Sequence, residues 1–233
     1  IAMVSLGLNL IYGFNGQFSL GQWGFYGIGA YCAVDITFRW FNGDARGLIV
    51  VGVGTILGGL GLILVNRLVK SKRLRGIPVL SAFTLYVLVS LAAGVAAVFV
   101  GRLVNPALAP LLGSQAEPGP LNSPVVRQIV FFLAVVLAGV FSAEISFLFV
   151  LPVLQLGSDY FGIATLGFSI VINTLMVNSD TILPFPEMKG GRGMIGIPKL
   201  TTWAWAFFFL MAVLIIMRNL IRSSTGRAIV SVR

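Results

Sequence analysis

Long uncharged runs alternate along this chain with short polar connections, and most of the runs approach the roughly 20 residues that a helix needs to cross a bilayer. They predict helical spans over Ile1–Gly13, Leu20–Phe38, Gly47–Val65, Ile77–Val100, Gln128–Leu154, Tyr160–Asn178 and Thr201–Met217. Residues 66–76 form a basic connection, and 101–127 a proline-rich one with Pro106, Pro110, Pro118, Pro120 and Pro124. A further connection, 179–200, carries Pro184, Pro186 and a glycine run from Gly190 to Pro198; residues 218–233 close the chain as a basic stretch. No connection resembles a soluble domain. The expectation is one all-α domain over 1–233, a polytopic transmembrane bundle of about seven spans.

One run does not look like plain lipid anchor. Between Ile1 and Val34 there is no charge, yet Gly13, Gly16, Gly21, Gly24, Gly27 and Gly29 fall there together with Asn15, Gln17, Ser19 and Gln22. Glycines loosen a helix and amides carry hydrogen-bonding groups to membrane depth. Irregular polar backbone is tolerated in a bilayer only where protein buries it or it lines a wet cavity. Transporters place such broken segments along the substrate path. A glycine-rich broken segment near the N-terminus is therefore expected, with Asn15, Gln17, Ser19 and Gln22 as path candidates. The alternative is that these groups only satisfy the broken backbone. In the third run, Gly54-x-x-x-Gly58 and Gly61 form a small-residue face suited to close helix packing.

Composition agrees with the pattern. Hydrophobic residues make up 58% and charged residues 10%, against about 25% charged in soluble domains. The net charge of +9 sits in short clusters between apolar runs, which suits membrane topology and argues against nucleic acid as a partner. Cys32 is alone and histidine is absent, so neither a zinc site nor a histidine-based triad is expected, and no metal or cofactor is implied. No Gly-x-x-x-x-Gly-Lys-(Ser/Thr) loop is present for ATP hydrolysis. The expectation is a transport subunit, not an enzyme, with no catalytic residues. The chain starts at Ile1 and stops in a basic stretch at Arg233, as a piece of a longer protein would; the first run lacks the basic leader and cleavage site of a signal peptide.

Arg67, Lys70, Lys72, Arg73 and Arg75 crowd 66–76, and Arg218, Arg222, Arg227 and Arg233 mark the C-terminal end. Dense positive charge marks cytoplasmic loops, which puts both on the inside and 101–127 and 179–200 on the outside. Two acids lie within apolar sequence. Asp35 has Arg39 one turn on, favouring an ion pair, whereas Glu144 has no basic neighbour within a turn. An ionisable group at that depth is either a path residue or a buried structural bond, and Glu144 joins the path candidates. Asp159 suits a helix N-cap.

Three blocks resemble the LivM-like permease subunits of branched-chain amino acid ABC transporters. They are Ser19-Leu-Gly-Gln-Trp-Gly-Phe-Tyr-Gly-Ile-Gly-Ala-Tyr31, then Leu151-Pro-Val-Leu-Gln-Leu-Gly-Ser-Asp-Tyr-Phe-Gly-Ile-Ala-Thr-Leu-Gly-Phe168, and Gly190–Pro198 followed one span later by Arg222–Arg233. The chain departs from the family at Gln155, Gly157 and Ser169. The resemblance implies part of the translocation pathway of an ATP-driven importer in a bacterial inner membrane. Its solute would be a branched-chain or other neutral amino acid, or in some relatives urea or a short amide. It implies as partners a second, LivH-like permease subunit, two cytoplasmic ATPase subunits and an extracytoplasmic solute-binding protein. Residues 218–233 would begin the loop that grips the ATPase, with Arg222, Gly226, Arg227 and Ile229 as coupling candidates. An ion-coupled secondary carrier is the alternative from another class, and Glu144 is the residue that favours it.

Overall fold

In a computed structural model the described residues are 2–14, 16, 18–70, 79–113, 119–153, 158–182 and 188–231, with backbone alone at 68–70, 79–82, 158–159, 182, 225 and 229–231. They are built of helices: α1 (Ala2–Asn9), a π-helical turn (Leu10–Phe14), α2 (Gln22–Phe41), α3 (Arg46–Lys70), α4 (Val79–Leu112), a 3-10 turn (Pro120–Asn122), α5 (Pro124–Val153), α6 (Ser158–Val177), α7 (Ser179–Ile182), a second 3-10 turn (Gly190–Arg192), α8 (Trp203–Arg222) and α9 (Ser224–Ser231).

Five described helices hold segments long and apolar enough to cross a bilayer: Arg46–Arg67, Phe83–Leu112, Pro124–Val153, Tyr160–Val177 and Trp203–Arg222. By length and apolarity this is a multi-pass membrane protein. At most 17% of any of these segments is buried inside the molecule, so their apolar surface faces outward and needs lipid or a neighbouring subunit to cover it. Two of the seven expected spans are not among the five. The first is α1 with its π-turn, a shorter apolar piece over Ala2–Phe14. The second is α2, whose 20 residues are long enough but not apolar enough, because glycines, Gln22, Asp35 and Arg39 dilute it.

Helix ends also differ from the sequence expectation. The connection expected over 101–127 is helical as far as Leu112. A proline inside a helix removes one backbone donor and frees the carbonyl four residues earlier. Pro106 and Pro110 lie four residues apart and are exposed, as is Arg102, so the disruption falls on the exposed side of α4. The connection expected over 66–76 begins later, since α3 continues to Lys70, and 71–78 lie outside the described residues. Residues 218–222 still belong to α8, and α9 follows after the single residue Ser223. Within 179–200, α7 and the second 3-10 turn add short helical pieces, and Met188 bridges Met194.

Glycine faces set the packing. A Cβ built on Gly54 would meet Ala97 at 3.6 Å, one on Gly101 would meet Val50 at 2.7 Å, and one on Gly61 would run into Val89. As the number rises on α3 it falls on α4, so the two form an antiparallel hairpin whose backbones approach because side chains are missing there. Near the α2–α3 turn, Ile36, Trp40, Ala45, Leu112, Val130 and Ala134 form a buried cluster. Ala45 donates its N–H to Asn105 Oδ1 at 2.9 Å, tying that turn to α4. On the far side, Trp205 of α8 stacks against Phe132 and donates to Gln128 Oε1 at 2.6 Å.

Candidate functional site

The break before α2 is where unusual backbone meets unusual neighbours. Phe18, Ser19 and Leu20 are not helical, and Gly16 takes a left-handed φ of 72°. Backbone groups at membrane depth need partners, and α6 supplies them. Thr165 Oγ1 accepts from the Leu20 N–H at 3.0 Å and donates to the Gly162 carbonyl at 3.0 Å. Ser169 Oγ donates to the Leu20 carbonyl at 2.8 Å. Both backbone groups of Leu20 are thus held by hydroxyls from one face of α6. Ser19 is buried, and its Oγ accepts from the Gly21 N–H at 3.4 Å.

Glycines let α6 come this close. A Cβ on Gly21 would sit 3.2 Å from Thr165 Cβ, one on Gly24 2.9 Å from the Phe168 ring, and one on Gly162 3.0 Å from Phe18. The pairs Phe18–Gly162, Gly21–Thr165 and Gly24–Phe168 rise together, so the break and α2 run parallel to α6. These glycines close a contact more than they open backbone. Two of the sequence blocks, Ser19–Tyr31 and the α6 part of Leu151–Phe168, are therefore packed against each other.

Beside this contact lies a cavity of about 640 Å³ between the N-terminal helix, α2, α5 and α6. Its walls are mostly apolar, including Val4, Ile11, Phe25, Ala30, Ala33, Val135 and Val150. Its polar lining comes from Ser19, Gln22, Tyr26, Ser142, Ser146 and Thr165. No lining residue carries a formal charge. Ser142 Oγ donates to the Phe25 carbonyl at 2.9 Å, pinning α5 to α2 at the cavity wall. Phe25, Phe149 and Phe168 gather beside it, with the rings of Phe149 and Phe168 4.2 Å apart. Such a chamber offers hydroxyl and amide hydrogen bonds to a small molecule and an apolar surface for the rest of it.

Of the path candidates, Ser19 and Gln22 line the cavity, and the Gln22 amide also packs on Gly7 of α1, 3.3 Å from where a Cβ would be. Asn15 and Gln17 lie outside the described residues. Glu144 is on α5 but does not line the cavity. It points at α3, where its carboxylate oxygens lie 3.0 and 3.1 Å from the Cβ positions of Gly58 and Gly59. Gly58, read with Gly54 and Gly61 as packing surface, thus makes room for an acid together with Gly59. Ser142, Ser146 and Thr165 were missed by sequence reasoning. The available signal was the four-residue spacing Ala134, Ala138, Ser142, Ser146, a small and increasingly polar stripe along one face of α5.

The coupling candidates gather at the α8–α9 junction. Arg222 ends α8, and the chain turns at Ser223, whose φ of −68° and ψ of 165° are extended. Ser223 Oγ donates to the Leu220 carbonyl at 2.6 Å and accepts from the Gly226 N–H at 3.0 Å, so one hydroxyl caps both helices. Gly226 does not itself make the turn. It lies on the first turn of α9, buried, where a Cβ would collide with the Leu220 carbonyl and sit 2.7 Å from that of Ile221. Arg227 is exposed, and Ile229 is placed in α9 by its backbone. Asp159 has its backbone in α6, with its side chain outside the described residues.

Charge collects at the other end of α2. Arg39 Nε holds Asp35 at 2.8 Å, the expected pair, and Arg39 also reaches Asp44 at 3.5 Å, while Arg46 holds Asp44 at 2.7 Å. Burial alone would raise the Asp44 carboxyl, but hydrogen bonds from the Arg46 side chain and backbone, with the charges of Arg46 and Arg39, hold it below its usual range. Among the described residues no group of three or more His, Cys, Asp or Glu side chains comes together.

Two curated proteins share a local similarity with the chain. The high-affinity branched-chain amino acid transport system permease protein LivM of Salmonella typhimurium is 38% identical over 78 residues, and the protein of the same description from Escherichia coli is 36% identical over 78 residues. Each match takes in 33% of this chain and 17% of the relative's length. No family model matches, and no solved structure matches.

Proposed function

We propose that this chain forms part of the translocation pathway of an ATP-driven importer for branched-chain or other neutral amino acids, in a bacterial inner membrane. The observation that carries this reading is the uncharged, hydroxyl- and amide-bearing cavity of about 640 Å³ set against the broken segment. An amino acid with an aliphatic side chain needs apolar wall for that side chain and hydrogen bonds for its polar end, and the lining offers both. The local likeness to LivM permeases supports the same reading. A second, LivH-like permease subunit would cover outward apolar surface, and a solute-binding protein would deliver solute from outside. Two cytoplasmic ATPase subunits would drive the change between outward and inward opening, gripping the chain at Arg222–Ile229. The Ser19, Gln22 and Ser142 side chains would meet the solute, and Asn15 and Gln17, outside the described residues, are path candidates from the sequence alone. Glu144, turned towards Gly58 and Gly59, would act as a structural bond.

Replacing Gln22 by Leu and Ser142 by Val in the full-length permease, assembled with its partners, tests this. Each change removes a hydrogen-bonding group worth about 1 kcal/mol. Uptake of a radiolabelled neutral amino acid should fall about fivefold or more at equal membrane abundance. Wild-type uptake in both variants would remove the cavity from the path.

A further inference from the structure

A second groove, of about 680 Å³, lies between α4 and α5 on the outward surface, away from the cavity described above. It runs along α4 from Val87 past Leu91, Gly94, Val95 and Val98 to Arg102, with Phe141, Ile145 and Leu148 of α5 as its other wall. The hydroxyl of Ser90 is turned back onto the Tyr86 carbonyl at 2.9 Å, which leaves the groove apolar along its length. Arg102 is its one charged lining residue, exposed at one end.

Three observations say what this groove fits. From Ser90 to Arg102 the helix rises about 18 Å at 1.5 Å per residue, close to one leaflet's share of the roughly 30 Å hydrocarbon core. Arg102 also stands level with the charged turn between α2 and α3, the kind of place where chain meets the polar edge of a bilayer. The adjacent Gly101 faces Val50 and the carbonyl of Arg46, at the start of α3, where Arg46 meets Asp44. Finally, Gly94 has no neighbour that demands a missing side chain, unlike Gly61 and Gly101 of the same hairpin: a Cβ there meets nothing within 4 Å. Glycine inside a helix is about 1 kcal/mol less favourable than alanine, and here its effect is to deepen the groove.

We propose that the groove is a binding site for an anionic phospholipid, with one acyl chain lying along Leu91–Val98 and the phosphate paired with Arg102. A guanidinium matches phosphate oxygens with paired N–H donors and distinguishes them from the shielded phosphate of a zwitterionic lipid.

The test uses the full-length permease complex purified in detergent and exposed to equal amounts of phosphatidylglycerol and phosphatidylcholine, with retained lipid counted by native mass spectrometry. The wild type should keep phosphatidylglycerol in preference, and Arg102→Gln and Gly94→Leu should each lower that retention about tenfold, equivalent to about 1.4 kcal/mol. Equal retention of the two lipids by the wild type would overturn the proposal, as would unchanged retention in Arg102→Gln, a surface change that decides the matter even if Gly94→Leu assembles poorly. A cysteine replacing Val98 that cross-links to another subunit of the complex would assign the groove to protein and overturn it as well.

Discussion

Thr165 carries more of the break than any residue within the break itself. Its buried hydroxyl is both acceptor for Leu20 and donor to Gly162, so removing it leaves an amide with no partner at membrane depth. Thr165→Val keeps the shape and deletes that partner, which should cost about 1–3 kcal/mol. Thermal denaturation of the purified full-length protein should show a clear loss for Thr165→Val and little for Thr165→Ser, which retains the hydroxyl. Equal melting of all three proteins would mean that the Leu20 amide finds another partner. Ser19 and Gln22 were legible in the sequence because amides and hydroxyls in an uncharged run stand out against Leu and Val. Thr165 was not, since a threonine in a helix is ordinary until the chain that crosses it is known. Glu144 was legible as an acid in apolar sequence, but whether it faced a cavity or two glycines depended on how α5 was rotated against α3.

At the scale of elements, the α8–α9 junction is a tightly held connection. Ser223 caps two helix ends at once, and Gly226 lets α9 fold back against the last carbonyls of α8. If α9 grips an ATPase, its angle to α8 sets whether motion is passed on. Gly226→Val should force the two helices apart and break that relay, whereas Ser223→Ala, losing a cap of about 1 kcal/mol, should weaken it less. Solute-stimulated ATP hydrolysis by the assembled transporter is the measurement, with co-purification of the ATPase as its companion. Full stimulation in Gly226→Val would reduce α9 to a membrane-surface anchor. The sequence singled out Gly226 as a coupling candidate, and glycine is a common turn residue. The turn lies three residues earlier because Ser223, and not glycine, satisfies the free groups of both helices.

At the scale of the whole molecule, the α3–α4 hairpin defines direction through the membrane. Its antiparallel register, Val50 by Gly101 and Gly61 by Val89, puts the C-terminal ends of α3 and α4 at opposite ends of the pair. Cysteines introduced at Asn66 and Leu111 in a Cys32→Ser background should therefore react with a membrane-impermeant thiol reagent from opposite faces, Asn66 from the cytoplasm as the density of positive charge in 66–76 requires. Labelling of both from one face would undo the hairpin as a transmembrane unit. The outward apolar surface, including the groove that ends at Arg102, marks where this chain expects lipid or other subunits.

Solvent, class and approximate helix positions were determined by the sequence alone, because the cost of exposing backbone and charge to hydrocarbon is local and large, so apolar run length and charge placement report it directly. The glycine pattern also told where helices come close, although not which helix each one meets. Four matters were decided only by tertiary structure: that α6 supplies the hydroxyls for the break, that Ser142 and Ser146 share a cavity with Ser19 and Gln22, that Glu144 turns away from it, and that α4 continues through two prolines. Each depends on the rotation of a helix about its own axis and on contacts between residues more than eighty positions apart, or on which face of a helix its prolines fall. Hydropathy along a chain carries neither quantity, since every face of a membrane helix can be equally apolar whether it meets lipid or protein.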